Sequence, residues 1–287
     1  MNEPEPRTPQ ALDYRAECDA LHAALVAAPA DAWDAPTQFK QWTFDDVLGH
    51  LYMFDCAAEV AARSREELQA VLTPVMASLA VGKTFQQCTR EWLQGCAGEA
   101  LLQRWQDQYR RLAAVFRDLD PSLRLPWFGP DMSARSFISA RQMETWAHGQ
   151  AIFDALGLER VEHDRLYNIA VMGVNTFGWT FTVHRRAMPA ARPYVRLESP
   201  SGATWEWNDA ASADRVEGSA VEFCRVVTQT RNVQDTRLRV SGPVAQEWMS
   251  IAQCFAGAPV LPPAPGTRFR SPAGRRSGRG GTPWSPA

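Results

Sequence analysis

Apolar residues recur every three to four positions through the first half of the chain, and that spacing predicts amphipathic helices. Leu12, Ala16, Ala20, Leu21, Ala24 and Leu25 mark a first helix near 11–29, ending before Pro29. A second starts at Thr43, a favourable cap with Asp46 three residues on, and is expected to run past Ala61. A shorter helix over 65–80 crosses Pro74, and 85–118 reads as one long element ended by Asp120 and Pro121. Beyond a loop holding Pro126, Gly129 and Pro130, a fourth long helix runs from near Ser133 to Gly157, a natural C-terminal cap. Four long amphipathic helices predict a bundle, and bundles build metal sites from side chains on facing helices.

The second half changes period. After a helix over 162–187, the alternation in Tyr194 to Glu198, the turn at Pro200-Ser201-Gly202 and the alternation in Thr204 to Trp207 predict a hairpin. Residues 217–231 read as an apolar helix, Arg237 to Val240 as a strand and Val244 to Phe255 as a further helix. The expected fold class is therefore α+β in two domains: a helical bundle over 10–158, a smaller α+β domain over 159–258 and a disordered basic tail over 259–287. Pro262-Pro263-Ala264-Pro265-Gly266 opens that tail.

Composition narrows the function classes. The chain has 287 residues, 45% apolar and 22% charged, which is ordinary globular usage and enough for a large core. No apolar run reaches the roughly 18–20 residues a spanning helix needs, so no membrane role is expected. The acidic, proline-rich start from Met1 to Gln10 lacks the features of a signal peptide, and the expected location is cytoplasmic. The net charge of −2 becomes −7 once Arg268, Arg270, Arg275, Arg276 and Arg279 of the tail are set aside. The folded body is acidic; a basic tail can touch nucleic acid, but its Gly, Pro and Ser content reads as a disordered, solvated end, so no nucleic-acid partner is expected and the expected partner is a small-molecule substrate, on a monomer or homodimer. The six cysteines have no C-x-x-C spacing and read as reduced core thiols. Cys56, six residues after His50 and about 120° around the same helix, is a poor ligand candidate.

The chemistry lies in two fragments, Trp42 to Leu51 and Met143 to Gln150. Glu144 and His148, four apart on one helix face, can chelate a single ion. The same spacing recurs at Asp46/His50 and Glu159/His163, where a helix cap and a solvated turn explain the acids; only Glu144/His148 lies mid-helix among apolar neighbours. A carboxylate there is costly to bury unless paired or metal-bound. Arg141, one turn earlier, offers the other explanation, a buried Arg–Glu link with His148 as a core histidine. His50 also lies mid-helix in an apolar run, and spacing alone leaves both readings open.

The fragments Trp-Thr-x-x-Asp-x-x-x-His-Leu (Trp42 to Leu51) and Glu-Thr-Trp-Ala-His-Gly (Glu144 to Gly149) resemble the mycothiol-dependent maleylpyruvate isomerase-like proteins, a branch of the DinB-like four-helix-bundle superfamily. Fainter matches at Pro200 to Trp207 and Phe223 to Gln229 extend the resemblance over 10–258. It implies a DinB-like bundle followed by a sterol-carrier-like α+β domain, with a divalent metal, often zinc, on His50, Glu144 and His148. It also implies a low-molecular-weight thiol such as mycothiol as co-substrate, and a substrate-handling arginine for which Arg231 is the nearest match. Two departures point to an uncharacterised metal-binding subgroup: Gln41 stands where the family commonly has glycine, and the chain is longer, near 65–95 and in the tail.

Three protein ligands leave a coordination position open. The expectation is a metal-dependent, thiol-dependent isomerase or transferase acting on a small electrophilic or unsaturated substrate. Asp55 and Arg141 are candidate acid/base or supporting groups. The alternatives are a thiol-independent lyase, hydratase or cyclase, and a non-catalytic metal- and ligand-binding protein; a closed fourth ligand would favour the last.

Overall fold

Four long helices pack against one another: α1 (Gln10–Val26), α2 (Phe44–Ala61), α5 (Gly98–Asp118) and α6 (Ala134–Leu156). The computed structural model describes residues 5–127 and 131–271. The Gly129-Pro130 part of the expected loop lies outside them. Between α2 and α5 the chain adds α3 (Arg65–Ala80), which crosses Pro74 as expected, and α4 (Phe85–Leu93), both resting on α2.

The local signals act where the sequence puts them. The Thr43 hydroxyl accepts from the Asp46 N–H while the Asp46 carboxylate accepts from the Thr43 N–H, a complete capping box that starts α2. Ser133 caps α6, and Gly157 closes it at φ 69°, a left-handed conformation that costs glycine little. The interior holds Tyr14, Leu21, Leu48, Leu51, Trp105, Tyr109, Phe116 and Phe137, all fully buried.

The single element expected over 85–118 is two helices. Gln94 (φ 50°) and Gly95 (φ 84°) break the chain, and the Gly98 N–H that opens α5 is held by Asp45 at 2.7 Å. The break lets α4 turn back across α2 at Gly49, where an added Cβ would lie 2.6 Å from Leu93 Cδ1. Similarly, 162–187 divides at Thr176 into α7 (Tyr167–Asn175) and α8 (Phe177–Val183).

A short antiparallel ladder of β1 (Arg124–Leu125) and β2 (Met132–Ser133) leads into α6, and the second half carries a four-stranded sheet of β3 (Tyr194–Glu198), β4 (Thr204–Trp207), β5 (Arg215–Ser219) and β6 (Arg239–Ser241) in the order β4-β3-β5-β6. The expected hairpin is β3 (Tyr194–Glu198) and β4 (Thr204–Trp207), antiparallel with Val195 opposite Trp207. Residues 217–231 are not wholly helical. β5 (Arg215–Ser219) pairs parallel to β3 before α9 (Ala220–Val227) begins. A one-residue alternation around buried Val216 gives β5 its inward face, too short a signal beside the apolar run that follows. β6 (Arg239–Ser241) and α10 (Pro243–Ile251) complete an α+β arrangement.

A second apolar cluster joins Ile169, Phe181, Val195, Phe223, Val227 and Trp248 under this sheet. Met143 and Trp146 of α6 also belong to it, so one helix serves both cores. Glu17 of α1 pairs with Arg160, and with Arg165 at 2.7 Å, tying the bundle to the segment after α6. From Pro259 to Ser271 the chain is a strap across the surface rather than a free end: Arg268 donates to the Gln229 carbonyl, the Phe269 N–H to Gln38 and the Ser271 N–H to the Asp154 carbonyl. The rest of the expected tail lies outside the described residues.

Candidate metal centre

His50 projects from the second turn of α2 toward α6, where Glu144 and His148 share one face. One ligand atom from each of the three lies within 4.8 Å of the others. His148 Nε2 is 3.1 Å from Glu144 Oε2 and His50 Nε2 is 3.8 Å from the same oxygen. The two imidazoles thus face one carboxylate oxygen, and their side chains are only 12–14% exposed.

Aromatic rings wall the cluster. Trp42, next to the α2 cap, lies parallel to His148 at 5.9 Å, and Phe39 meets the same ring edge-on at 5.0 Å. Phe54 and Phe85 contact His50 at 4.6 and 6.3 Å. This surface has few competing hydrogen-bond donors, which strengthens any charge interaction inside it.

Burial pulls the His50 pKa down to about 4, with the neighbouring His148 adding to the effect, so the ring is neutral near pH 7. Burial acts to raise the Glu144 carboxyl, but hydrogen bonds from His148 and His50 outweigh it and hold the group well below the usual carboxylate range. A neutral imidazole and an ionised carboxylate are the protonation states that metal ligation requires. The donor set, two imidazoles and one carboxylate with Nε2 atoms converging on one oxygen, fits a divalent cation of the zinc type. Among the described residues the buried Nδ1 atoms of both histidines have no hydrogen-bond partner, and the rings are packed against the aromatic walls.

Asp55 and Arg141 lie one turn away, and they face each other. Arg141 Nε donates to Asp55 at 2.9 Å, Trp105 Nε1 donates to the other Asp55 oxygen at 3.0 Å, and the pair is 4% and 0% exposed. The alternative link from Arg141 to Glu144 is replaced by this brace between α2, α5 and α6. Both groups are buried, and the Arg141 guanidinium lies 5.9 Å from the centroid of Phe54, the ring that meets His50. Arg231 is held by Asp154 at 2.7 Å, six residues beyond His148 on α6, and is not brought against the three ligands. Sequence reasoning missed Phe39, Lys40 and Arg268 near the cleft; no helical period covers the loop or the strap that carries them.

A helical bundle with an inward histidine–glutamate–histidine cluster, continued into an α+β second half, is a definite class of architecture. The chain belongs to the mycothiol maleylpyruvate isomerase-like family: the profile for the mycothiol maleylpyruvate isomerase N-terminal domain matches residues 14–153. Two uncharacterized proteins of Mycobacterium tuberculosis are each 39% identical to it over 251 residues, 88% of this chain and 96% of theirs. Crystal structures of the mycothiol-dependent maleylpyruvate isomerase and of its histidine-to-alanine mutant share the fold at TM-score 0.50 and 14% identity, covering 77% of this chain and 88% of theirs. Among the described residues no helix is long and apolar enough to cross a membrane.

Proposed function

We propose that the protein is a divalent-metal-dependent enzyme of the maleylpyruvate isomerase type, using a low-molecular-weight thiol such as mycothiol to isomerise or add to a small unsaturated electrophile. The carrying observation is the convergence of His50 Nε2 and His148 Nε2 on one oxygen of Glu144. These three residues would hold the metal, with zinc matching the donor set, and the bound cation would supply a Lewis-acid position that favours a thiolate over a thiol at neutral pH. Among the described residues no cysteine or further histidine joins the three, which supports an open centre over a closed structural one.

The chain's own residues define the rest. Glu144 keeps its negative charge between the two imidazoles, which are packed in place by the aromatic walls. Phe39, Trp42, Phe54 and Phe85 exclude water from one side of the cleft and offer flat surfaces to a conjugated substrate. The Asp55–Arg141 pair fixes the spacing of α2 and α6, and therefore of His50 from Glu144. We take the α1, α2, α5, α6 bundle as DinB-like and the sheet-bearing half as sterol-carrier-like.

Elemental analysis of wild-type and His50→Ala protein, followed by turnover of activated cis-alkenes with and without mycothiol, tests the reading. Stoichiometric metal in the wild type, its loss in the variant and thiol-dependent turnover are the expected results. Metal-free wild-type protein that titrates no zinc would overturn it, and thiol-independent turnover would move the chemistry to a hydratase or lyase.

A further inference from the structure

Lys40 and Arg268 share one aromatic ring, and among the described residues neither forms an ion pair with a carboxylate, although Glu144 and Asp154 lie close enough to act on them electrostatically. Lys40 Nζ lies 5.3 Å and Arg268 Cζ 5.1 Å from the centroid of Phe39, the ring whose edge meets His148 at 5.0 Å. The arginines of the neighbouring groove, by contrast, are each paired with an acid. In the groove of about 440 Å³ beside α6, Arg231 faces Asp154 at 2.7 Å, Arg270 faces Glu159 at 3.0 Å and Arg225 faces Glu162 at 3.9 Å. Arg268 instead donates only to the Gln229 carbonyl, at 2.7 Å, and Lys40 has no acid within ion-pair distance among the described residues.

Both cations are held there by structure. Lys40 (φ 50°) and Gln41 (φ 59°) are consecutive non-glycine residues in the left-handed region, a conformation costing each about 1 kcal/mol. The turn is closed by the Thr37 N–H on the Trp42 carbonyl at 2.8 Å and by the Trp42 N–H on the Phe39 carbonyl at 2.9 Å. Arg268 arrives on the strap, and the Phe269 N–H is bonded to Gln38 of the same loop at 2.7 Å. Burial, then the charge of Arg268, lowers the Lys40 pKa against the opposing pull of Glu144, and Lys40 makes no ion pair with any carboxylate among the described residues. A divalent ion on one carboxylate and two neutral imidazoles would add a further net positive charge behind them. An otherwise acidic body thus presents a positive entrance.

We propose that Lys40 and Arg268 form a carboxylate-binding clamp at the mouth of the His50, Glu144 and His148 centre, selecting organic anions as substrates; this rests on reading that centre as the site of reaction. Arg268 offers a planar fork to one carboxylate and Lys40 a compact ammonium to the same or a second one. The thiol needs no charge to enter, so the clamp acts on the electrophile.

Calorimetric titration of the full-length protein with maleate and with its neutral diamide, alongside zinc content by elemental analysis, tests the clamp. Lys40→Gln and Arg268→Gln should each weaken maleate binding about tenfold, and the double variant about a hundredfold, with zinc content unchanged. The diamide should bind weakly and equally to all. Arg268→Lys, which keeps charge without the fork, should fall between wild type and Arg268→Gln. Maleate affinity unchanged in the double variant, no millimolar binding to the wild type, or equal binding of the diamide would each overturn the proposal. The metal reading fails separately, by absence of zinc; the maleate comparison is then made on the metal-free protein and still decides the clamp.

Discussion

Arg141 and Asp55 are a charged pair removed almost wholly from water, and their energetics separate support from catalysis. Arg141→Met leaves Asp55 buried with the Trp105 N–H but no counter-ion, and should destabilise the fold by about 3–5 kcal/mol, whereas Arg141→Met with Asp55→Leu should recover most of that loss. Urea unfolding of both variants checks this, and recovered stability with retained zinc binding marks the pair as a brace. The three members of the cluster were legible in the sequence as candidates because Glu144 and His148 keep the four-residue spacing amid apolar neighbours and His50 repeats that setting on another helix. Their convergence was not, since it depends on how α2 turns against α6. Spacing also could not tell whether Arg141 would choose Glu144 or Asp55, two carboxylates each within a turn of the site.

Helix starts and stops were read well where a side chain or glycine supplies the cap, as at Thr43, Ser133 and Gly157, and poorly where tertiary packing decides. The apolar period passes through Gln94-Gly95 without a proline, and only the crossing of α4 over Gly49 forces the break. The capping box at Thr43 sits seven residues ahead of His50, so the entry of α2 sets the direction from which that imidazole arrives. Thr43→Ala should cost about 1 kcal/mol, read as a shift in the urea midpoint at constant m-value. The loop just before it works against its own backbone preference. Gln41→Gly should stabilise the protein by roughly 0.5–1 kcal/mol in thermal unfolding, because glycine occupies the left-handed region without a Cβ clash.

The acid limb of stability should report the joint between the two halves. Burial alone would raise the Glu17 carboxyl; Arg160 and Arg165 outweigh it and hold the group below its ordinary value. A carboxyl with a depressed folded pKa contributes stability that is complete above the unfolded value of 4.5 and is lost as pH falls through the folded value. Glu17→Gln strands Arg160 in the interior and should cost about 3–5 kcal/mol at pH 7. The gap between variant and wild type should close on acidification below pH 4.5, in urea titrations across that range. The same interdependence extends to α6, whose Trp146 side chain lies in one core while Glu144 and His148 look into the other. A splice ahead of Ala134 would strip the bundle of its fourth wall, and one behind Gly157 would take the floor from under Trp146. No single crossover point leaves both partners intact, so recombination with a relative cannot exchange the halves as ready-made modules, and residues beneath Trp146 must drift in step with the histidines they never touch.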